Sequence, residues 1–292
     1  MPDTVTIGFL LGLLSAIIYS ISNILNKKAK QRGEESSHIM MSTGLTGALW
    51  MVPIALYLGG YTPEVLFLGG FLFFLKGASN YLHVSLLSFT SPSVLQVPAL
   101  LASTFGLYAS SILFNVSVSI SEFVFSILIA FLSIIFIGVE LKRDAVTGIK
   151  NNHFLSLMGL SLLSMGITNT IFIYNGTTLV NIGEILALIS LVYLGSATTG
   201  FMAGIKRKRN GLMAAYRPSW GIVIGILSPL ATFNLLYSMN SYPVGSIMIG
   251  VSFIMVLTAV GASLYSGERL HKVQYALLPV FTMLMVAKNI GV

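Results

Sequence analysis

The amino-acid sequence predicts an all-α integral membrane fold of ten transmembrane helices, arranged as two inverted five-helix repeats. Three observations carry that expectation. First, 55% of the 292 residues are hydrophobic and only 9% are charged, with a mean hydropathy of +0.88. A soluble domain carries about 25% charged residues because its surface must meet water. This chain cannot cover a surface that way, so its exterior has to face hydrocarbon. Second, apolar segments of membrane-spanning length recur from end to end. Third, those segments divide into five and five.

The apolar segments run over 5–26, 38–58, 65–88, 92–114, 119–139, 153–174, 182–205, 218–238, 243–265 and 271–289. At 1.5 Å of rise per residue, each is about long enough to cross a hydrocarbon core of roughly 30 Å. The first ends at the charged run Lys27 to Glu35, and the second at Gly59-Gly60-Tyr61-Thr62-Pro63-Glu64. The third gives way to the fourth at Thr90-Ser91, a connection short enough to force antiparallel neighbours. Lys142 to Asn152 follows the fifth segment and Lys206 to Arg217 the seventh, while Asn240 to Tyr242 joins the eighth to the ninth. No long polar stretch is left over for a separate soluble domain. The first residues, Met1-Pro2-Asp3-Thr4, lack the basic start of a signal peptide, and the first helix is expected to stay with the mature chain.

Residues 1–150 and 151–292 form the two expected repeats. Shifting the first by 151 positions places Gly8 on Gly159, Leu11 on Leu162, Pro92 on Pro243 and Leu113 on Leu264, and superposes the apolar spans in order. Five is odd, so consecutive copies enter the membrane from opposite sides. Secondary transporters built this way hold their substrate near the midplane, between the halves.

Composition excludes several chemistries. There is no cysteine, which removes disulfides, thiolate metal sites and thiol catalysis. The net charge of +7 does not point to nucleic acid, because the basic residues sit in short connections where they orient helices against lipid headgroups. No phosphate-binding loop, HExxH or nucleophile elbow occurs, so ATP-driven transport and hydrolase chemistry lack support and the chain is not expected to be an enzyme.

Lys76 carries the most chemistry. It lies near the middle of the third apolar segment, where a cation costs roughly 2.5–3.5 kcal/mol on insertion scales and must face the interior or a wet cavity. Asn80 and His83 follow at i+4 and i+7, within about 60° of it on a helical wheel. One reading is a site for an anionic or polar solute, with His83 as a proton-linked group. The other is that Lys76 pairs with a carbonyl or with Gln96 and only ties helices together. The first segment aligns Ser15, Tyr19, Ser22 and Asn26 on one face with Asn23 at its edge. The fourth aligns Ser93, Gln96, Ser103 and Ser110, and the eighth offers Ser228 and Thr232. Singly, such hydroxyls read as interhelical hydrogen bonds; together they read as a pathway lining. The expected substrate-binding residues are therefore Lys76, Asn80, His83, Gln96, Tyr19, Asn23, Ser228 and Thr232.

Other motifs read as architecture. Gly8-x-x-x-Gly12 and Gly221-x-x-x-Gly225 are expected to let helices touch. Pro53, Pro98, Pro229 and Pro279 are expected to kink or break helices, the middle two at a depth relevant to gating. Glu122 and Glu184 sit near helix starts and read as caps. With no carboxylate at mid-membrane, an organic cation exchanged for a proton on a buried glutamate is disfavoured.

Two stretches resemble a known family. The opening run from Gly8-Phe9-Leu10-Leu11-Gly12 to Asn26-Lys27-Lys28-Ala29, and the run from Asn240-Ser241-Tyr242-Pro243 to Gly267-Glu268-Arg269-Leu270, resemble the EamA-type, ten-helix branch of the drug/metabolite transporter superfamily. The first half departs from the pattern, with Val116-Ser117 where the second half has Gly267-Glu268. The resemblance implies movement of a small solute linked to a proton or another ion gradient, with no bound cofactor.

The expectation is a secondary active transporter in the cell (plasma or inner) membrane that moves a small polar metabolite such as an amino acid or sugar. Its partners would be that small-molecule substrate and the lipid bilayer, with homodimer formation left open. The alternatives are a flippase or carrier for a lipid-linked substrate, and, from another class, a non-transporting membrane scaffold or an intramembrane enzyme using Lys76 with a serine. Orientation divides two lines of reasoning. The connections after the first, fifth, seventh and ninth segments hold fourteen of the sixteen Lys and Arg residues, which places them in the cytoplasm and both termini outside. The family resemblance implies the reverse. The charge count is a property of this chain and is preferred here. A fluorescent protein that matures only in the cytoplasm, fused to the C-terminus, is expected to stay dark; bright cells would reverse the orientation.

Overall fold

The computed structural model describes residues 4–141, 151–179, 181–206, 219–241, 244–265 and 271–290, and among them the chain is all helix. The helices are α1 (Thr4–Gln31), α2 (Ser36–Tyr57), α3 (Pro63–Leu86), α4 (Pro92–Phe114), α5 (Ile120–Leu141), α6 (Asn151–Thr178), α7 (Ile182–Lys206), α8 (Trp220–Ser241), α9 (Val244–Tyr265) and α10 (Lys272–Ile290). Seven of them, α1 to α4 and α6 to α8, contain described stretches long and apolar enough to cross a membrane. In α5 and α9 the described apolar stretches are shorter. Large apolar side chains point outward along the whole bundle, Leu49, Phe67, Phe74 and Ile112 among them. Water would penalise such an exterior and hydrocarbon does not.

Local signals place the helix ends. Thr62 and Ser91 cap α3 and α4 by accepting from Val65 N–H and Val94 N–H, at 3.4 and 3.2 Å, and each is followed by a proline at the first helical position. Ser119 and Glu122 form a reciprocal box at the start of α5, with Ser119 N–H donating to Glu122 Oε2 at 2.7 Å. Gly33 and Gly59 adopt the left-handed backbone that ends α1 and α2. α1 runs five residues beyond its apolar segment, because Lys27 and Lys30 find partners. The Lys27 ammonium donates to the carbonyls of Leu87 and Thr90 at 3.0 and 2.9 Å, and Lys30 donates to Ser36 Oγ at 3.1 Å. The stretches Lys142 to Lys150, Arg207 to Arg217, Tyr242-Pro243 and Gly267-Glu268-Arg269-Leu270 lie outside the described residues.

The most extensive packing is α2 on α7, with α3 against the other side of α7 and α8 against α2. Glycine makes these contacts possible. A Cβ on Gly44 would run into the backbone of Ala197, and one on Gly195 into the carbonyl of Phe73. On α8, Gly221 and Gly225 rest on Ser42 and on the Thr43 carbonyl, so that GxxxG pair seats α2 as expected. α1 lies between α8 and α9, and α6 packs mainly on α4. α5 and α10 meet each other at the periphery, beside α4 and α9.

None of Pro53, Pro98, Pro229 and Pro279 breaks its helix: α2, α4, α8 and α10 each run on through it. At Pro229 the reason is visible. Its missing N–H frees the carbonyl of Gly225, which accepts instead from Trp50 Nε1 of α2 at 3.3 Å.

Gly195→Ala is expected to lower the thermal midpoint of the purified protein, by a cost of about 1–3 kcal/mol or more for overpacking. Gly70→Ala, with nothing within 4 Å of the new methyl, should be neutral or slightly stabilising. Equal midpoints for the two variants would show that the α3–α7 contact tolerates separation.

Candidate functional site

α3 brings Lys76, Asn80 and His83 to one face because residues four and seven apart return to the same side of a helix. That face turns inward onto a cavity of about 190 Å³, room for roughly six waters at about 30 Å³ each. Its wall is built from α1, α2, α3, α4, α6, α7, α8 and α9. All eight residues expected from the sequence line it: Lys76, Asn80, His83, Gln96, Tyr19, Asn23, Ser228 and Thr232.

The polar groups fall into two sets. On one wall the Tyr19 hydroxyl lies 2.5 Å from Thr232 Oγ1, and Thr232 in turn donates to the Ser228 carbonyl at 2.9 Å. Tyr193 of α7 lines the same cavity with them. On the other wall Asn80 Nδ2 donates to Ser196 Oγ at 3.1 Å, and Gln96 Nε2 reaches the Pro92 carbonyl at 3.4 Å. Among the described residues Lys76 bonds neither a carbonyl nor Gln96, so the tie foreseen as an alternative is not made there. The Phe172 ring centroid lies 5.9 Å from the ammonium. Asn26 Oδ1, Thr43 Oγ1 and His83 Nε2 are buried at the same cavity without a described partner.

The first helix turns its two expected site residues, Tyr19 and Asn23, to the cavity, but only part of its polar stripe. Tyr19, Asn23 and Asn26 face the cavity, whereas Ser15 donates to the Ala231 carbonyl at 2.9 Å and Ser22 to Ile18 at 3.0 Å. Asn23, assigned to the edge of the stripe, is thus a lining residue. On α4 the wall takes Gln96, Ala99 and Ser103, while Ser110 turns back to the Leu107 carbonyl. Thr43, Asn169 and Tyr193 line the cavity and were not singled out. An asparagine at mid-helix in α6 is itself a signal of an interior face. Asn169 Nδ2 donates to Ser103 Oγ at 3.1 Å and joins α6 to α4.

The two ends of the bundle are tied differently. Where α1 meets α2, Glu34 accepts from Ser219 Oγ and from Trp220 N–H at the start of α8. Lys28 and Arg32 lie 5.5 and 5.1 Å from the Trp220 ring centroid. At the opposite end, Asn240 Nδ2 donates to the Leu179 carbonyl, and Met239 covers Gly176. Beneath that lid Leu107, Ile173, Leu235 and Met239 form an apolar cluster.

No family model and no curated protein matches the chain. Thirteen chains of solved structures do. One, a crystal structure described only as that of a protein, superposes with a TM-score of 0.69 over 97% of this chain and 95% of its own, at 13% identity. At that identity the likeness is one of fold alone.

Tyr19→Phe and Thr232→Val are each expected to destabilise the protein by roughly 0.6–2 kcal/mol. Combined, they should cost less than the sum, because both remove the same bond. Strict additivity of the thermal shifts would mean that the 2.5 Å contact carries no coupling.

Proposed function

We propose that this chain is a secondary active transporter that moves a small polar solute between two faces of a membrane by alternating access. On this reading all ten helices cross the bilayer as two inverted five-helix halves, on the plan of the EamA-type drug/metabolite transporters. The observation that carries the reading is the internal cavity, lined by polar and apolar side chains together and walled by α1 to α4 of one half and α6 to α9 of the other, with a lysine on its wall. A scaffold without a transport role would have no use for such a cavity.

Packing supports the two-half reading. Exchanging each helix with the one five later turns the α2–α7 contact into itself, α3–α7 into α8–α2, and α1–α9 into α6–α4; all of these are extensive. The ties at the two ends, Glu34 to the start of α8 and Asn240 to the end of α6, suit contacts that form and break in alternation.

The test begins with a thermal-shift screen of purified protein against amino acids, sugars, nucleotides, organic acids and organic cations. Whichever solute stabilises it is then followed by counterflow in proteoliposomes. Lys76→Ala is expected to abolish counterflow while inserting and purifying as the parent does. Unchanged flux in that variant would remove Lys76 from the mechanism, and absence of flux for every stabilising solute would defeat the transport reading.

A further inference from the structure

The charge inventory of the cavity narrows the solute further, if the transport reading above is taken as given. Lys76 brings one full positive charge to the cavity wall, and no described hydrogen-bond or ion-pair partner meets it. None of the lining residues is acidic. Among the described residues Glu34, Glu35, Glu64, Glu122 and Glu184 belong to connections or first turns of helices, and Glu140 to the last turn of α5, all away from mid-helix. The Phe172 ring, 5.9 Å from the ammonium, is a weak substitute worth on the order of 0.5–2 kcal/mol. A cation in such surroundings is stabilised most by an anion that enters with the solute.

We infer that the solute is an organic monoanion whose carboxylate pairs with Lys76. Charge balance selects the valence. One lysine is neutralised by one negative charge, whereas a phosphate monoester carries about −1.5 to −2 near pH 7 and would leave excess negative charge. A zwitterionic amino acid brings no net charge and leaves the lysine uncompensated, its own ammonium meeting only neutral acceptors. Geometry supplies the rest. Asn23 lines the same cavity with no described partner, and His83 Nε2 is buried there unpaired. Each can complete the hydrogen bonds that a carboxylate accepts beyond the ion pair. Phe172, Ile173 and Leu235 offer an apolar surface for the body of the molecule.

Binding to the purified protein distinguishes these classes. The probes are benzoate, benzamide, benzylamine, phenylalanine and phenyl phosphate, since a phenyl ring suits a cavity of this order. Straight-chain carboxylates from acetate to octanoate, each beside its own amide, remove dependence on ring shape. Carboxylates are expected to bind at least about tenfold more tightly than their amides, an advantage of the size one charge-assisted hydrogen bond confers. Lys76→Met should weaken carboxylate binding by about 30-fold or more, with elution and thermal midpoint as in the parent. Lys76→Glu should reverse the preference, so that benzylamine outbinds benzoate.

Amides binding as well as acids, phenyl phosphate outbinding benzoate, full carboxylate affinity in Lys76→Met, or no carboxylate bound in either series would each overturn the inference. Counterflow separates it from the reading on which it rests. Flux of a neutral or cationic solute sinks the anion and leaves transport standing. A carboxylate that binds through Lys76 but never crosses leaves the anion site standing and sinks transport.

Discussion

In hydrocarbon, helices gain nothing by hiding apolar side chains from one another, so what draws them together is close van der Waals fit and the bonding of polar groups. The contact of α2 with α7 is where that fit is tightest. Gly44 lies against the backbone of Ala197 and Gly200 against that of Met41, so the two helices touch main chain to main chain. On the far side of α7, Gly195 and Gly77 admit α3; on the far side of α2, Gly221 and Gly225 admit α8. These four helices form a seam through the molecule. The remaining helices close around it, and the cavity is the space that the seam and α1, α4, α6 and α9 leave between them.

The seam also governs how polar groups are satisfied. Many hydroxyls bond the carbonyl three or four residues back on their own helix, as Ser42 does to His38, Thr198 to Leu194 and Thr232 to Ser228. Those groups ask nothing of a neighbour or a solute. Trp50 serves the carbonyl that Pro229 exposes, which is why a proline at that depth leaves α8 unbroken. What is left for the cavity is a short set of side chains, Lys76, Asn23, Asn26 and His83 with the Thr43 hydroxyl, whose donors or acceptors are not met by described partners. The distinction between a hydroxyl that satisfies itself and a side chain that cannot is what makes this cavity a candidate site as well as a gap.

Much of this was legible in the residues. Helix positions follow the apolar segments closely, and the largest excursion, at the end of α1, arises because Lys27 and Lys30 are used as caps on neighbouring elements. Lys76 announced an interior face by the cost of its charge, and period 3.6 carried Asn80 and His83 with it. The face of α1 was less legible, since Ser15 and Asn23 both stand beside Tyr19 on a wheel. Only the presence of α8 assigns Ser15 to the Ala231 carbonyl and leaves Asn23 to the cavity. Thr43 and Tyr193 gave weaker signals still, one small and the other amphipathic, on helices whose main business is packing.

By itself, the sequence determined that the chain forms long apolar helices, that a cation lies deep within one of them, and that its acidic residues stay near helix ends or in the connections. These follow from hydropathy and spacing, which act along a single helix. Which polar faces meet was decided by tertiary structure. Periodicity defines a face only relative to its own axis, and the rotation of that axis toward a neighbour depends on where two backbones can approach. Here that is set by the glycines of α2, α7 and α8. The packing of α1 on α8 brings Tyr19 to Thr232, and Gly106 of α4, set against Asn169 and Thr170 of α6, brings Asn169 to Ser103; Lys76 is left facing a space with no carboxylate among the described residues that line it.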